Sequence, residues 1–153
     1  MTAIQKFKEI RQDGNVIDES MTVEEIFSLG SPRIIIEIRW IYQSKLITVF
    51  DAFGMLAKVV CGGEFIVVNG HSESGEDREL LVINADGTRR FKLSNIQMIN
   101  GKSELGEFRW FEAPRVDAIN VFGVVFNRAS DNSMFQLDVD AKNGNVIGVY
   151  SVR

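Results

Sequence analysis

The 153-residue sequence is short of most of the residues that carry chemistry. It has one cysteine, Cys61, so no intramolecular disulfide can form. It has one histidine, His71, so a zinc site built from paired histidines and cysteines is excluded. Two prolines leave no proline-rich linker. The basic residues are dispersed; the Arg89-Arg90 pair is too short to track a phosphate backbone, and with a net charge of -4 this argues against nucleic acid as a direct partner. No apolar run approaches the length of a membrane span, since Glu37 and Asn69 break the longest candidates. The stretch Met1 to Lys6 has no apolar signal core, which makes the cytoplasm the expected compartment.

What is present is the composition of a folded domain. Hydrophobic residues make up 45% and charged residues 25%, close to ordinary globular usage. The length fits a single domain, 1–153, large enough to bury roughly two-thirds of its unfolded surface. The 11 phenylalanines predict an aromatic and β-branched core.

The first 32 residues differ from the rest. Ile4, Phe7 and Ile10 are spaced by three, as in a helical turn or an irregular strand, and Asp13-Gly14 marks a turn. Thr22-Val23-Glu24-Glu25 fits a capping box, in which a hydroxyl and a carboxylate each satisfy a free amide at a helix start. With Val23, Ile26 and Phe27 as its apolar side and Gly30 and Pro32 as its stop, it predicts a short helix from Val23 to Leu29. After Pro32 the pattern is that of strands. Ile34, Ile36, Ile38 and Trp40 alternate with Arg33, Glu37 and Arg39, interrupted by Ile35. Further apolar runs follow at 46–50, 55–60, 65–68, 80–83, 90–93, 96–99, 108–112, 118–126, 134–139 and 146–152. Asp86-Gly87 predicts a type I′ hairpin, and 96–99 is expected to pair with 108–112. An echo of apolar, polar, Ala, then Gly at 49–54, 83–87 and 139–144 predicts a tight turn at each. The spacings are too uneven for a repeat array. The expected fold is mainly β: an antiparallel meander forming a sandwich or open barrel, with one short N-terminal helix.

Four motifs begin a chemical site and fail to complete it. Gly62-Gly63-Glu64-Phe65 resembles the signature hairpin of diguanylate cyclases, but one acidic residue and the family's upstream acidic pattern are missing; two glycines serve a hairpin for geometry alone. Gly70-His71-Ser72-Glu73-Ser74-Gly75 lacks the spacing and the following helix of a nucleophile elbow. Asp138-Val139-Asp140-Ala141-Lys142-Asn143-Gly144 starts like a calcium loop, yet an ammonium group takes a ligand position. Cys61 would need a base, and His71 is the one candidate, across a hairpin. Glu37, Glu64 and Glu112 are scattered carboxylates that would have to meet in space to act. No catalytic, metal or cofactor site is therefore assigned.

Two acidic stretches remain. Glu73, Glu76, Asp77 and Glu79 surround one arginine in a stretch where Gly70 and Gly75 leave a loop room to project; Asp13, Asp18, Glu19, Glu24 and Glu25 lie near the helix, with Asp18 and Glu19 as the binding candidates among them. Solvation explains such charges, but an acidic loop on a rigid sheet is also a common binding surface. Trp40 and Trp110 are expected as core or rim aromatics.

In size and character the chain resembles the immunity proteins of bacterial contact-dependent inhibition and polymorphic toxin systems. These are small, cytoplasmic, often acidic proteins without catalytic motifs. The resemblance implies a non-enzymatic inhibitor that binds a protein partner, a secreted and basic toxin domain such as a nuclease, with acidic side chains speeding encounter. The alternative is a small-ligand or carbohydrate-binding β domain with exposed tryptophans at a barrel mouth.

Overall fold

The computed structural model describes residues 3–30 and 34–152. Strands take up 61% of it, all pairings are antiparallel, and there is one short α-helix. The order is β1 (Gln5–Arg11), β2 (Val16–Asp18), α1 (Val23–Ser28), β3 (Ile35–Tyr42), β4 (Lys45–Val60), a 3-10 turn (Cys61–Gly63), β5 (Phe65–His71), β6 (Arg78–Asn84), β7 (Arg89–Leu93), β8 (Ile96–Ile99), β9 (Lys102–Glu112), β10 (Val121–Arg128), β11 (Met134–Asp140) and β12 (Val146–Val152). A seven-stranded sheet runs β2-β1-β3-β4-β5-β6-β7, and a five-stranded sheet runs β12-β11-β10-β9-β8.

The side-chain period of two explains how one sheet serves two cores. On β5, Phe65 and Val67 point to the second sheet, where they meet Phe108, Phe122, Val124, Phe126 and Leu137. The alternate residues Ile66 and Val68 point the other way, into a core with Ile38, Trp40 and Met55. β6 divides in the same manner, with Leu80 and Val82 on one side and Ile83 on the other. Burial on both faces is why these two strands read as unbroken apolar runs. The seven-stranded sheet curls around its second core as a half-barrel. Ile26 and Leu29 pack against that core from α1 and its C-terminal end.

The capping box closes as expected: Glu25 N–H donates to Thr22 Oγ1 at 3.1 Å and Thr22 N–H donates to Glu25 Oε1 at 3.1 Å. Leu29 is the C-cap of a helix that ends at Ser28. Gly30 follows with φ 68°, while Pro32, the other expected stop, and Arg33, on the polar side of the next strand, lie outside the described residues. Of the residues spaced by three near the N-terminus, Phe7 and Ile10 lie in strand β1, whose register slips between Gln5 and Lys8, and Ile4 just precedes it.

Three local expectations are corrected. The segment 49–54 is not a turn. β4 continues through it, and between the pairs Glu37–Phe50 and Ile35–Met55 it advances by five positions while β3 advances by two. This wide bulge changes which side β3 buries: Ile35, Ile38 and Trp40 are in the core and Ile34 is exposed, so the strict alternation from Ile34 does not hold. At the β6–β7 hairpin Gly87 has positive φ and Asp86 does not, so the turn is a three-residue loop closed by Gly87 N–H to Asn84 O at 2.9 Å, not type I′. Finally, β8 pairs with Lys102–Leu105 rather than with 108–112. Asn100 and Gly101, with φ 50° and 81°, supply the two-residue turn that brings them together.

Candidate functional site

The bulge in β4 builds the most distinctive surface of the molecule. Asp51 turns inward there and holds three groups. Its Oδ1 accepts Phe53 N–H at 2.9 Å, and its Oδ2 accepts His71 N–H at 2.7 Å. His71 Nδ1 lies 3.5 Å from Asp51 Oδ2 and 2.9 Å from Gly54 O. A carbonyl oxygen only accepts, so Nδ1 carries a proton and donates it to Gly54 O. The bulge is thus pinned to the end of β5 from both sides. Phe53 projects from it, half-exposed at 53%, its ring 5.9 Å from that of His71. Phe50, 63% exposed, stands beside it.

The acidic loop, residues 72–77 between β5 and β6, folds against this bulge. Ser72 N–H donates to Asp77 O at 2.8 Å and Gly75 N–H to Ser72 O at 2.9 Å. Ser72 Oγ contacts Ser74 Oγ at 3.2 Å and accepts Asp77 N–H at 3.3 Å. The two glycines do not free the loop to project. Gly70 is buried within β5, where a Cβ would come 2.5 Å from Asp51 Oδ2. Gly75, with φ 78°, lies under Phe53, where a Cβ would come 2.6 Å from the ring. Both positions need glycine for close approach, which ties the loop to the bulge.

Glu73, Glu76 and Asp77 are exposed on this loop. Glu79 is not on the loop; it is half-buried on β6 and ion-paired to Lys92 Nζ at 3.0 Å. A cleft of about 330 Å³ joins Glu73 and Glu79 to Phe50, Asp51, Phe53 and His71. Phe50 and Phe53 were missed in the sequence because Asp51 and Gly54 gave the segment the look of a turn.

Asp18 and Glu19 lie elsewhere, on and just after β2, which is four strands from β5. Asp18 Oδ1 accepts Ser20 N–H at 3.0 Å and Ser20 Oγ–H at 2.6 Å, and these bonds hold its carboxyl below the usual range. Glu19 Oε1 accepts Phe7 N–H at 2.6 Å where β1 is irregular. Lys6 and Lys8 line the same shallow pocket and offset the charge.

The near-miss motifs have local explanations. Cys61, Gly62 and Gly63 are three successive residues with positive φ that turn β4 into β5. Burial, and then the charge of Glu64, push the Cys61 thiol up, so it is protonated at neutral pH. His71 is at the far end of β5, about 20 Å away at 3.3 Å per residue, so it cannot act as its base. Asp138 is fully buried and accepts Arg115 N–H at 2.8 Å, Val116 N–H at 3.0 Å and Gln136 Nε2–H at 3.1 Å. It anchors the crossing segment between β9 and β10 rather than opening a calcium loop. Glu37 pairs with Arg39 on β3, Glu64 caps the 3-10 turn just before β5 and Glu112 accepts Trp110 Nε1–H at 2.8 Å at the end of β9; no site unites them. Trp40 is fully buried, its Nε1–H on Ala85 O at 2.7 Å, while Trp110 is 40% exposed at the rim. Among the described residues no three His, Cys, Asp or Glu side chains are grouped to hold a metal ion, and no helix is long and apolar enough to cross a membrane.

Two antiparallel sheets around two cores, one of them curled as a half-barrel with a pinned bulge in β4, define the structural class. No protein-family model and no curated protein matches the chain. It is similar to a chain in the solved structure of Tne2 in complex with Tni2, with 33% identity and a TM-score of 0.89 over 98% of this chain and 99% of that chain. At that identity over the full length, the chain belongs to the family of that member of the Tne2–Tni2 complex.

Proposed function

We propose that this chain is an immunity protein that stands in the place of Tni2: a cytoplasmic bacterial inhibitor that binds a secreted toxin domain and blocks it, without catalysis of its own. The observation that carries this reading is the full-length match to a chain of a two-protein complex, at 33% identity and a TM-score of 0.89. The filled half-barrel supports it over a ligand-binding barrel, since Ile38, Trp40 and Ile66 occupy the space a small ligand would need.

The docking surface is the bulge and the acidic loop together. Glu73, Glu76 and Asp77 form a charged rim, and Phe50 and Phe53 form an apolar centre held rigid by Asp51. Such an arrangement suits a basic toxin surface. Rim charges raise the encounter rate, and rigid aromatics set the lifetime.

The test is binding and protection. Co-expression with a toxin encoded beside it should rescue growth, and the purified pair should form a stoichiometric complex. Absence of both would overturn the proposal. Serine at positions 73, 76 and 77 should slow association several-fold at low salt, with the effect fading as salt rises. Phe53→Ser should instead speed dissociation by roughly tenfold or more. Unchanged rates in both variants would move the interface to another face.

A further inference from the structure

Phe53 stands between two clefts of opposite character. On one side is the acidic cleft of about 330 Å³, walled by Phe50, Asp51, Glu73 and Glu79. On the other is a cleft of about 270 Å³, walled by Ile34, Met55 and Leu56, whose one permanently charged lining residue is Arg78. His71 lines both. The Phe53 ring between them is held in place. It lies over the bare backbone of Gly75, where a Cβ would come 2.6 Å from it, and 5.9 Å from the ring of His71.

The carboxylates of the acidic cleft are not equally engaged. Asp51 accepts the Phe53 and His71 amides, and Glu79 holds Lys92 Nζ at 3.0 Å. Glu73 is exposed and, among the described residues, holds no hydrogen bond or ion pair. A free carboxylate in one cleft with two exposed aromatic rings is a setting that a cationic side chain completes. A guanidinium suits it better than an ammonium. It lies flat on a ring while its N–H fork meets a carboxylate bidentately, and it gives up water more readily. The opposite signs also set the direction of a bound segment. Laid across Phe53 one way, its cation meets Glu73; laid the other way, the cation meets Arg78 and is repelled.

We propose that the partner protein places an arginine in the acidic cleft, its guanidinium meeting the Glu73 carboxylate and the phenylalanine rings. The proposal rests on the reading of this surface as the docking face for a toxin, and it names the side chain that enters. Glu73 then differs from its neighbours on the loop. Glu76 and Asp77 act at a distance on the encounter rate, whereas a contact made only in the complex sets its lifetime.

N-acetylarginine amide is the probe, compared with the lysine and citrulline compounds; citrulline has the shape of arginine without its charge. The amide resonances of Glu73, Gly75 and His71 should shift saturably with the arginine compound, less with lysine and not with citrulline. Glu73→Gln, an exposed change on the loop, should weaken arginine binding about tenfold or more. In the complex with the toxin, Glu73→Gln should speed dissociation by a similar factor, while Glu76→Gln should slow association and leave dissociation unchanged. The wild-type complex should no longer take up the arginine compound. Equal binding of the lysine or citrulline compound, a Glu73→Gln variant that binds and dissociates as wild type, or a complex that still takes up arginine would each overturn the proposal and leave the docking reading standing. If no complex forms with the toxin, the docking reading falls and the proposal falls with it.

Discussion

Removing the Asp51 carboxylate should loosen the bulge without dismantling the fold. Its side chain is 11% exposed and accepts two backbone N–H groups, from Phe53 and His71. Hydrogen bonds to a charged group contribute about 1.5–3 kcal/mol each, and a donor left buried and unpaired costs about 1–3 kcal/mol. Water can reach the Phe53 amide on the exposed bulge more easily than the His71 amide. The larger share of the loss therefore falls on His71, and Asp51→Ala should destabilise by about 2–4 kcal/mol. Asp51→Asn keeps one acceptor oxygen but turns an amide group toward the other donor, so it should rescue less than half of the loss. Urea unfolding followed by tryptophan fluorescence measures this, because fully buried Trp40 reports the half-barrel core directly. A loss below about 0.5 kcal/mol for Asp51→Ala, the range of an ordinary surface change, would refute the clamp. The same variant should speed dissociation of a bound toxin as Phe53→Ser does, because a bulge that moves no longer presents a rigid ring.

Two further outcomes follow from buried charge. Glu9 is held above the usual carboxylate range, chiefly by burial, with Arg11 opposing the shift. Folding therefore favours its protonated form, so its contribution is present at low pH and is lost as pH rises through the raised value. The stability of Glu9→Gln relative to wild type should accordingly climb as pH rises above the ordinary glutamate value and through the raised one, and then level off, and urea midpoints that differ by a constant across that rise would refute it. Asp138→Ala strips the acceptor from two backbone amides and from Gln136, and should cost about 3–5 kcal/mol in thermal or urea unfolding; a change under about 1 kcal/mol would show that the segment between β9 and β10 does not depend on it.

The legible parts were those with local causes. A capping box needs only four residues in a row, so Thr22 and Glu25 marked the helix start before any tertiary contact was known. Turn glycines at 87 and 144 marked hairpins for the same reason. The long apolar runs at 65–68 and 80–83 announced strands, and both are found there. The acidic loop was visible as charge, and its three exposed carboxylates are where the sequence put them.

Tertiary structure decided the rest. Asp51-Ala52-Phe53-Gly54 has turn chemistry, and whether such a segment reverses the chain or swells within a strand depends on partners it cannot name. Here β3 and the end of β5 hold the chain extended, and His71, twenty positions away in sequence, accepts the role of fastening it. The two exposed phenylalanines became a surface only through that contact. Glu79 was charged in the sequence but paired in space, because Lys92 comes beside it from the neighbouring strand. The sequence by itself determined composition, strand character and the helix cap, since these rest on neighbours along the chain. Only the fold decided which side β3 buries, which carboxylates stay free and which strand is left at an open edge, because each of these is fixed by register between distant segments.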